Sequence, residues 1–441
     1  MEYNFDGLVG PTHSYAGLSR GNLASQAHAG QIGNPRAAAL QGLEKMRFVS
    51  ELGVGQAVLP PQLRPDVNSL RRLGLEGDDA TLLGVALREH PQLLRLCSSA
   101  SAMWTANAAT VTPSVDSTDG KLHLTVANLS SMFHRSLEAR TTCAVLRRIF
   151  DDASRFAVHA ALPAGELFAD EGAANHTRLF TGAGVVHLFG YGRSNWQPGA
   201  LPETFPARQS LEASQAVARL NRVPEPSRLF WQQDPRGIDR GAFHTDVLAV
   251  GNAEFLMLHE RAFVETPRLL ERLKSNLGEQ FQSCLATEAE LESTRAVRAY
   301  PFNSQLLSLP SGDMAIVAPL EAREDEQACR FLERVVAETN PVREVFYIDV
   351  NASMKNGGGP ACLRLRIALS ELERQAVSAR VFLDSALYAE LKSWIERHYR
   401  DRFGVDDLGD AAFLLEIRSA LDELTQILRL GSVYEFQKSS G

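Results

Sequence analysis

The run Asn356-Gly357-Gly358-Gly359-Pro360-Ala361-Cys362-Leu363-Arg364-Leu365-Arg366 frames the reading of the whole chain. Three successive glycines cost too much backbone entropy to sit inside a helix or a strand, so they predict a loop. Lacking side chains, that loop brings its backbone close to whatever it faces. Pro360 stiffens the exit. Leu363, Leu365 and Ile367 then alternate with Arg364 and Arg366, the period of two of a strand. The junction delivers Cys362 to the mouth of a strand, beside N–H groups and cations that favour a thiolate and hence a nucleophile. A small buried residue after a turn is the competing reading.

Outward from this junction, strands and helices are expected to alternate. Helical patterns start at Asn34-Pro35 and stop at Gly53, start at Asp78-Asp79, run from His134-Arg135 to Ile149, and cover 208–220, 266–277, 322–338, 385–402 and 410–430. Strand patterns occupy 56–59, 109–112, 122–127, 156–162, 184–189, 229–232, 246–250, 254–259, 283–286, 305–309, 314–319 and 344–350. Residues 1–30 show little periodicity and predict an irregular start, either disordered or a functional loop. The repeated strand–helix–strand order argues for an α/β fold. Several strands follow one another across short turns, so the sheets should be mixed. No linker divides residues 1–441, which predicts one domain, with internal repeats too degenerate to read.

The 441 residues are 44% hydrophobic and 22% charged, enough for a large core. A net charge of -8 without a basic run argues against nucleic acid and anionic membrane as partners. Cys97, Cys143, Cys284, Cys329 and Cys362 are odd in number and far apart, giving neither a disulfide scaffold nor a zinc ribbon. No signal peptide or bilayer-length apolar stretch is visible, so a reducing cytoplasm is the expected compartment. The sequons at Asn128, Asn175 and Asn351 are then accidental.

Candidate partners for Cys362 lie far away in sequence. If 246–250 and the residues before it are a strand, His244 and Asp246 share a face. A carboxylate beside an imidazole raises its pKa and orients it for proton transfer; an exposed ion pair would look the same. Asp170-Glu171 offers two acids at a strand exit, able to hold a cation or to cap a helix. Arg208 opens a helix, where a cation is misplaced relative to the dipole, and His134-Arg135 gives a second cationic pair. Both suit a ligand carboxylate, though solvated side chains are the commoner case. Gly17-Leu18-Ser19-Arg20-Gly21 matches GxSxG, but it lacks the strand before it and the helix after it that a serine hydrolase needs. A thiol, an imidazole and separate carboxylates fit attack on a planar guanidinium carbon, whose N–H groups carboxylates grip bidentately.

The motifs Phe5-Asp6-Gly7-Leu8-Val9-Gly10, Tyr15-Ala16-Gly17-Leu18-Ser19, Asp170 to His176, Phe243-His244-Thr245-Asp246-Val247 and Asn356 to Cys362 together resemble the N-succinylarginine dihydrolases, over residues 3–436. The last two motifs are shared more loosely with arginine deiminases and amidinotransferases. The resemblance implies a five-bladed, pseudo-symmetric α/β propeller of ββαβ modules. It implies hydrolysis of N2-succinyl-L-arginine to N2-succinyl-L-ornithine, two ammonia and carbon dioxide in arginine catabolism, with no metal or organic cofactor, by a homodimer.

By resemblance, Cys362 falls at the nucleophile, His244 at the general acid/base and Glu171 at the carboxylate of the triad. Substrate-binding positions fall on Ala16, Gly17, Leu18, Ser19, Arg20, Gly21, Asn22, Leu23, Ala24 and Ser25, and on Asn107, His134, Arg135, Arg208, Asp246 and Asn356. No side-chain role is expected of Arg20. In this scheme Glu171 and Asp246 hold the guanidinium, while Arg208, His134 and Arg135 anchor the carboxylates. The rivals are a deiminase or amidinotransferase using the same thiol, a serine hydrolase through Ser19, and a non-enzymatic binding protein.

Overall fold

The computed structural model of the chain describes residues 1–438. Fifteen strands form five three-stranded sheets among these residues. Four sheets are built from consecutive strands: β3–β5 (Ala109–Thr112, Leu122–Val126, Phe156–His159), β6–β8 (His176–Phe180, Val185–Tyr191, Arg228–Gln232), β9–β11 (Ala249–Asn252, Phe255–His259, Gln282–Ala286) and β12–β14 (Gln305–Ser308, Met314–Pro319, Val342–Ile348). In each, the first two strands pair antiparallel and the third pairs parallel with the second. A parallel pair needs a crossover, and a helix supplies it each time: Ala139–Ile149, Leu211–Leu220, Thr266–Leu277 and Glu326–Ala337. The sheets are therefore mixed, as the short turns between strands predicted.

The fifth sheet has the same pattern but is assembled from both halves of the chain. Strand β1 (Glu2–Gly7) lies between β15 (Arg364–Ala368), antiparallel, and β2 (Gly55–Leu59), parallel, with the helix Pro35–Glu51 as crossover. This corrects the expectation of an irregular start. Tyr3, Asn4, Phe5 and Asp6 form a buried strand whose partners lie around residues 57 and 366, so it carries no local turn signal. Asp6 on β1 accepts hydrogen bonds from Lys45 of the crossover helix and from Gln56 of β2 (2.7 Å), pinning the three elements together. A buried charge is tolerated only when paired in this way.

Most other expected elements form where the sequence placed them. Asn34 caps the helix Pro35–Glu51 through Ala37 N, with Pro35 at its first position. Strand β6, the helices Val67–Arg72, Pro91–Ser98 and Ser293–Ala299, and the break between Phe133–Ser136 and Ala139–Ile149 were not anticipated. The expected helix over 322–338 is divided at Asp325, which caps Glu326–Ala337. The helices Ser385–His398 and Ala411–Ile427 pack together, and the former lies on Pro35–Glu51. No helix among the described residues is long and apolar enough to cross a membrane.

The sheets are useful for what precedes them. Each first strand, β3, β6, β9, β12 or β15, follows a short irregular turn, and within five residues ahead of those strands stand Asn107, Glu171, His244, Asp246, Tyr300, Asn303 and Cys362. The strands fix where those turns end. Residues distant in sequence are thereby brought to one cluster.

Candidate active site

The loop carrying Cys362 is held by what its glycines admit. Gly357 has φ +82°, and a Cβ there would fall 1.9 Å from Asn22 Oδ1. A Cβ on Gly358 would fall 2.1 Å from Trp104 Nε1. Asn22 donates to the carbonyls of Asn356 (2.9 Å) and Gly357 (3.4 Å), and Tyr300 Oη donates to the Gly357 carbonyl (3.1 Å). Gln305 holds the Pro360 carbonyl (2.8 Å). Asn303 links two turns: its amide donates to the Asp246 carbonyl (3.0 Å) and its oxygen accepts from Cys362 N (3.4 Å).

Cys362 is buried, and its thiol donates to Asp246 Oδ2 at 3.6 Å. Burial and the neighbouring Asp246 charge push this thiol far above its usual range. The Gly359 N–H favours the thiolate as expected of the loop, but no cation among the described residues helps it, and burial and Asp246 outweigh it, so in the free site the sulfur is protonated. Asp246 is pushed up to about 7, chiefly by burial, and its Oδ1 has no partner. A cation entering beside Asp246 would draw both groups toward their ionised forms.

Glu171 and His244 form the second half of the site. Both are fully buried, and His244 Nε2 lies 2.7 Å from Glu171 Oε2. The same oxygen accepts from Arg135 Nη1. Burial opposes ionisation of Glu171, but Arg135 and the bond from His244 hold it well below the ordinary carboxylate range. Its backbone is fixed too: Glu171 N donates to Gln209 Oε1 (2.7 Å), and its carbonyl accepts from Asn107 Nδ2 (2.8 Å). Asp170, pushed up to about 6 by burial, accepts through Oδ1 from Gly172 N (3.2 Å) and Gln209 Nε2 (3.2 Å), and its Oδ2 is buried without a partner.

Two further readings are corrected. His244 and Asp246 do not alternate along a strand; His244 precedes the 3-10 turn Thr245–Val247, and β9 begins only at Ala249. The His244 pKa is not raised by its carboxylate. Burial lowers it to about 4, Glu171 offsetting only part of the effect while Arg208 and Arg135 add to it. The ring is neutral, and its Nδ1 is buried without a partner. Glu171 has its Oε2 bound to Arg135 and His244, while its Oε1 is buried without a partner.

Arg208 does not open a helix. It lies in extended chain ahead of Leu211–Leu220, whose cap is Ser210. Its guanidinium is buried over the Phe243 ring (4.4 Å), donates to the Arg20 carbonyl (2.9 Å) and leaves Nε without a partner. Burial lowers it to about 10. His134, in the short helix Phe133–Ser136, is lowered to about 3 by burial and the charges of Arg135 and Arg208.

The segment Ala16 to Ser25 runs past this corner. Asn22 caps the short helix Leu23–Ala27, and the segment is tied to Asn356 through Asn22 and to Arg208 through the Arg20 carbonyl, while the Arg20 side chain is exposed. Asn356 also reaches the Ser14 carbonyl (3.3 Å). Ser19 stands in irregular chain with no strand before it, as expected of an accidental GxSxG, although the short helix Leu23–Ala27 does follow, contrary to expectation.

The structure thus gathers Cys362, Asp246, His244, Glu171, Asn107, His134, Arg135, Arg208, Asn356 and the 16–25 segment. Sequence reasoning missed Tyr300, Asn303, Gln209 and Trp104. Tyr300 and Asn303 had one legible signal, their place just ahead of a first strand. Among the described residues no group of histidine, cysteine and acidic side chains is arranged to hold a metal.

A second buried histidine pairs with a carboxylate. His187 on β7 lies 3.0 Å from Asp116 Oδ2, and Arg178 on β6 donates to both Asp116 oxygens. Here the other ring nitrogen is used, His187 Nδ1 lying 3.0 Å from His176 Nε2.

A family model described as succinylarginine dihydrolase matches residues 1–437. An N-succinylarginine dihydrolase of Myxococcus xanthus is 62% identical over 438 residues, covering 99% of this chain and 100% of that protein. One of Shewanella sediminis is 51% identical over 442 residues, covering 99% of each. Among solved structures, an apo arginine dihydrolase of the cyanobacterial ornithine–ammonia cycle superposes with a TM-score of 0.51 at 14% identity, over 84% of this chain and 41% of that one. Its substrate-bound N-terminal domain gives 0.50 at 14%, over 83% and 98%. At such low identity these two show a shared mixed α/β fold. The close relatives and the family model show more: the chain belongs to the succinylarginine dihydrolase family.

Proposed function

We propose that this protein hydrolyses N2-succinyl-L-arginine with two waters to N2-succinyl-L-ornithine, two ammonia and carbon dioxide, in arginine catabolism. The observation that carries this reading is the thiol of Cys362 resting on Asp246, two residues along the chain from a histidine whose second nitrogen is unused. The substrate guanidinium binds Asp246. Its positive charge favours the Asp246 carboxylate and the Cys362 thiolate that burial alone suppresses. The thiolate adds to the central carbon, and a proton passed through His244 Nδ1 lets the first ammonia leave. Glu171 and Arg135 keep His244 oriented and stabilise the imidazolium while it lasts. Water, deprotonated by His244, displaces sulfur to give the ureido group. A second addition of Cys362 expels the second ammonia and leaves an S-linked thiocarbamate. Its hydrolysis frees a carbamate of the side-chain nitrogen, which loses carbon dioxide.

The two remote carboxylates are met by Arg208, with its unsatisfied Nε, and by backbone N–H groups of the 16–25 segment and polar groups of His134, Asn107 and Asn356. Arg135 acts chiefly through Glu171. The five sheets are the blades of a pseudo-symmetric α/β propeller forming one catalytic domain. A cytoplasmic location is supported by five unpaired cysteines; a homodimer rests on resemblance to the dihydrolases and is checked by light scattering. The deciding experiment is ammonia released per succinylarginine consumed. Two are expected; one, with a stable ureido product, marks a deiminase instead.

A further inference from the structure

Strand β15 sends Arg364, Arg366 and Ala368 to one face, since alternate side chains of a strand point the same way. That face borders a cavity of about 360 Å³ behind the catalytic loop. Its inner wall includes Asp246 and Ala361, the residue before the nucleophile, and it reaches the surface near the exposed Phe180 and Met1. Its charged and imidazole groups are Glu2, His176, Arg178, Asp246, Arg364 and Arg366. Small residues, among them Ala249, Gly251 and Ala368, leave the space open.

The three arginines differ in how they are satisfied. Arg366 Nε forms an ion pair with Glu2 Oε1 at 2.9 Å though not a hydrogen bond, and its other nitrogens donate to the carbonyls of Gly251 (2.9 Å) and Leu306 (2.7 Å). Arg178 is bidentate on Asp116. Arg364 is 7% exposed, its side chain has no hydrogen bond or ion pair among the described residues, and its Nε is sealed from solvent without an acceptor. Burial and the Arg366 charge push its guanidinium down to about 9, against the more distant pull of Glu2, Asp6 and Asp246. A buried guanidinium that no acceptor touches is costly and favours a directly bound anion. No step of the reaction proposed above uses it.

We propose that this rear cavity binds a small planar oxyanion, of the carboxylate–bicarbonate class, on the guanidinium of Arg364. The planar fork of Arg364 matches two oxygens of such an anion in a way a spherical ion cannot. The cavity opens where Phe180 is exposed, and Asp246 is a wall it shares with the proposed guanidinium site.

The test is calorimetric titration of the full chain with sodium bicarbonate, sodium formate and sodium chloride at constant ionic strength. Saturable binding with a Kd of about 1 mM is expected for a planar anion, and at least tenfold weaker binding for chloride. Bicarbonate alone binding would point to the carbon released by the enzyme's own reaction as the source; equal binding of formate would point to carboxylates of the medium. Either result upholds the site. Arg364→Met should weaken planar-anion binding at least tenfold, and Arg364→Lys should keep charge but lose the preference over chloride. If Arg364→Met does not fold, Ala368→Leu, which narrows the cavity with Arg364 intact, must weaken binding. Absence of saturable binding, chloride binding as tight as formate, or undiminished binding in these variants overturns the proposal.

Discussion

His244, Glu171 and Arg135 in the turns and His187, Asp116 and Arg178 on the β6–β8 sheet are the same chemical trio: imidazole, carboxylate, guanidinium. In both, the arginine neutralises the acid and burial keeps the imidazole neutral. They differ in one nitrogen. His187 spends its second nitrogen on His176, whereas His244 Nδ1 is left without a partner. A fully satisfied trio stiffens a sheet; one with an open valence can move a proton. Surroundings, not residue types, separate structure from chemistry.

The contrast is broken most directly at the sulfur. Cys362→Ser should cut kcat by roughly 10⁴-fold or more while the circular dichroism spectrum and Tm stay near those of the parent. Comparable residual turnover would remove Cys362 from the reaction. His244→Gln should cost about 10²- to 10⁴-fold in kcat, the usual range for a proton-transfer group. His187→Gln, by contrast, should lower stability by about 2 kcal/mol through lost buried hydrogen bonds, read by urea unfolding, with kcat changed by less than about threefold, far below a proton-transfer loss.

Proton linkage sharpens the same comparison. Burial lowers both imidazoles below their ordinary value of 6.5, His244 to about 4, so unfolding takes up protons between those values. Stability therefore rises with pH across that window and is lost as pH falls through it. His187→Gln should flatten this slope and leave the pH–rate profile alone. Asp246, with a value near 7, should set that profile: kcat/KM should fall as pH drops below about 7, because a protonated Asp246 cannot hold a guanidinium. The smallest effect is expected at the remote end of the substrate. Arg208→Ala should raise KM for succinylarginine about tenfold, a loss of ~1.4 kcal/mol, with little change in kcat.

Much of this site was legible because its residues announce themselves. A glycine run ending in a cysteine, two acids at a strand exit and His–x–Asp are unusual in plain sequence, and each falls in the cluster. Their electrostatics were not legible. The thiol and the imidazole were read from single neighbours, but burial, visible only once the fold is known, dominates both. Asn303 was missed because its work is to tie Asp246 to Cys362, a link across more than a hundred residues. In the fold, amphipathic helices such as Thr266–Leu277 were plain. Strand β1 was not, since its partners are distant, and β6 was not, since His176 and Arg178 face the rear cavity rather than the core.

The sheet holding β15 has one consequence for how the molecule comes into being. Its central strand is made more than three hundred residues before the antiparallel neighbour that follows the sulfur. Until then Phe5 and Asp6 lack that mate, and no partial product of translation has the reactive group seated. The newborn enzyme stays inactive until that later strand is made, and splitting the gene between those two strands should yield fragments that are inert apart and active only when co-expressed.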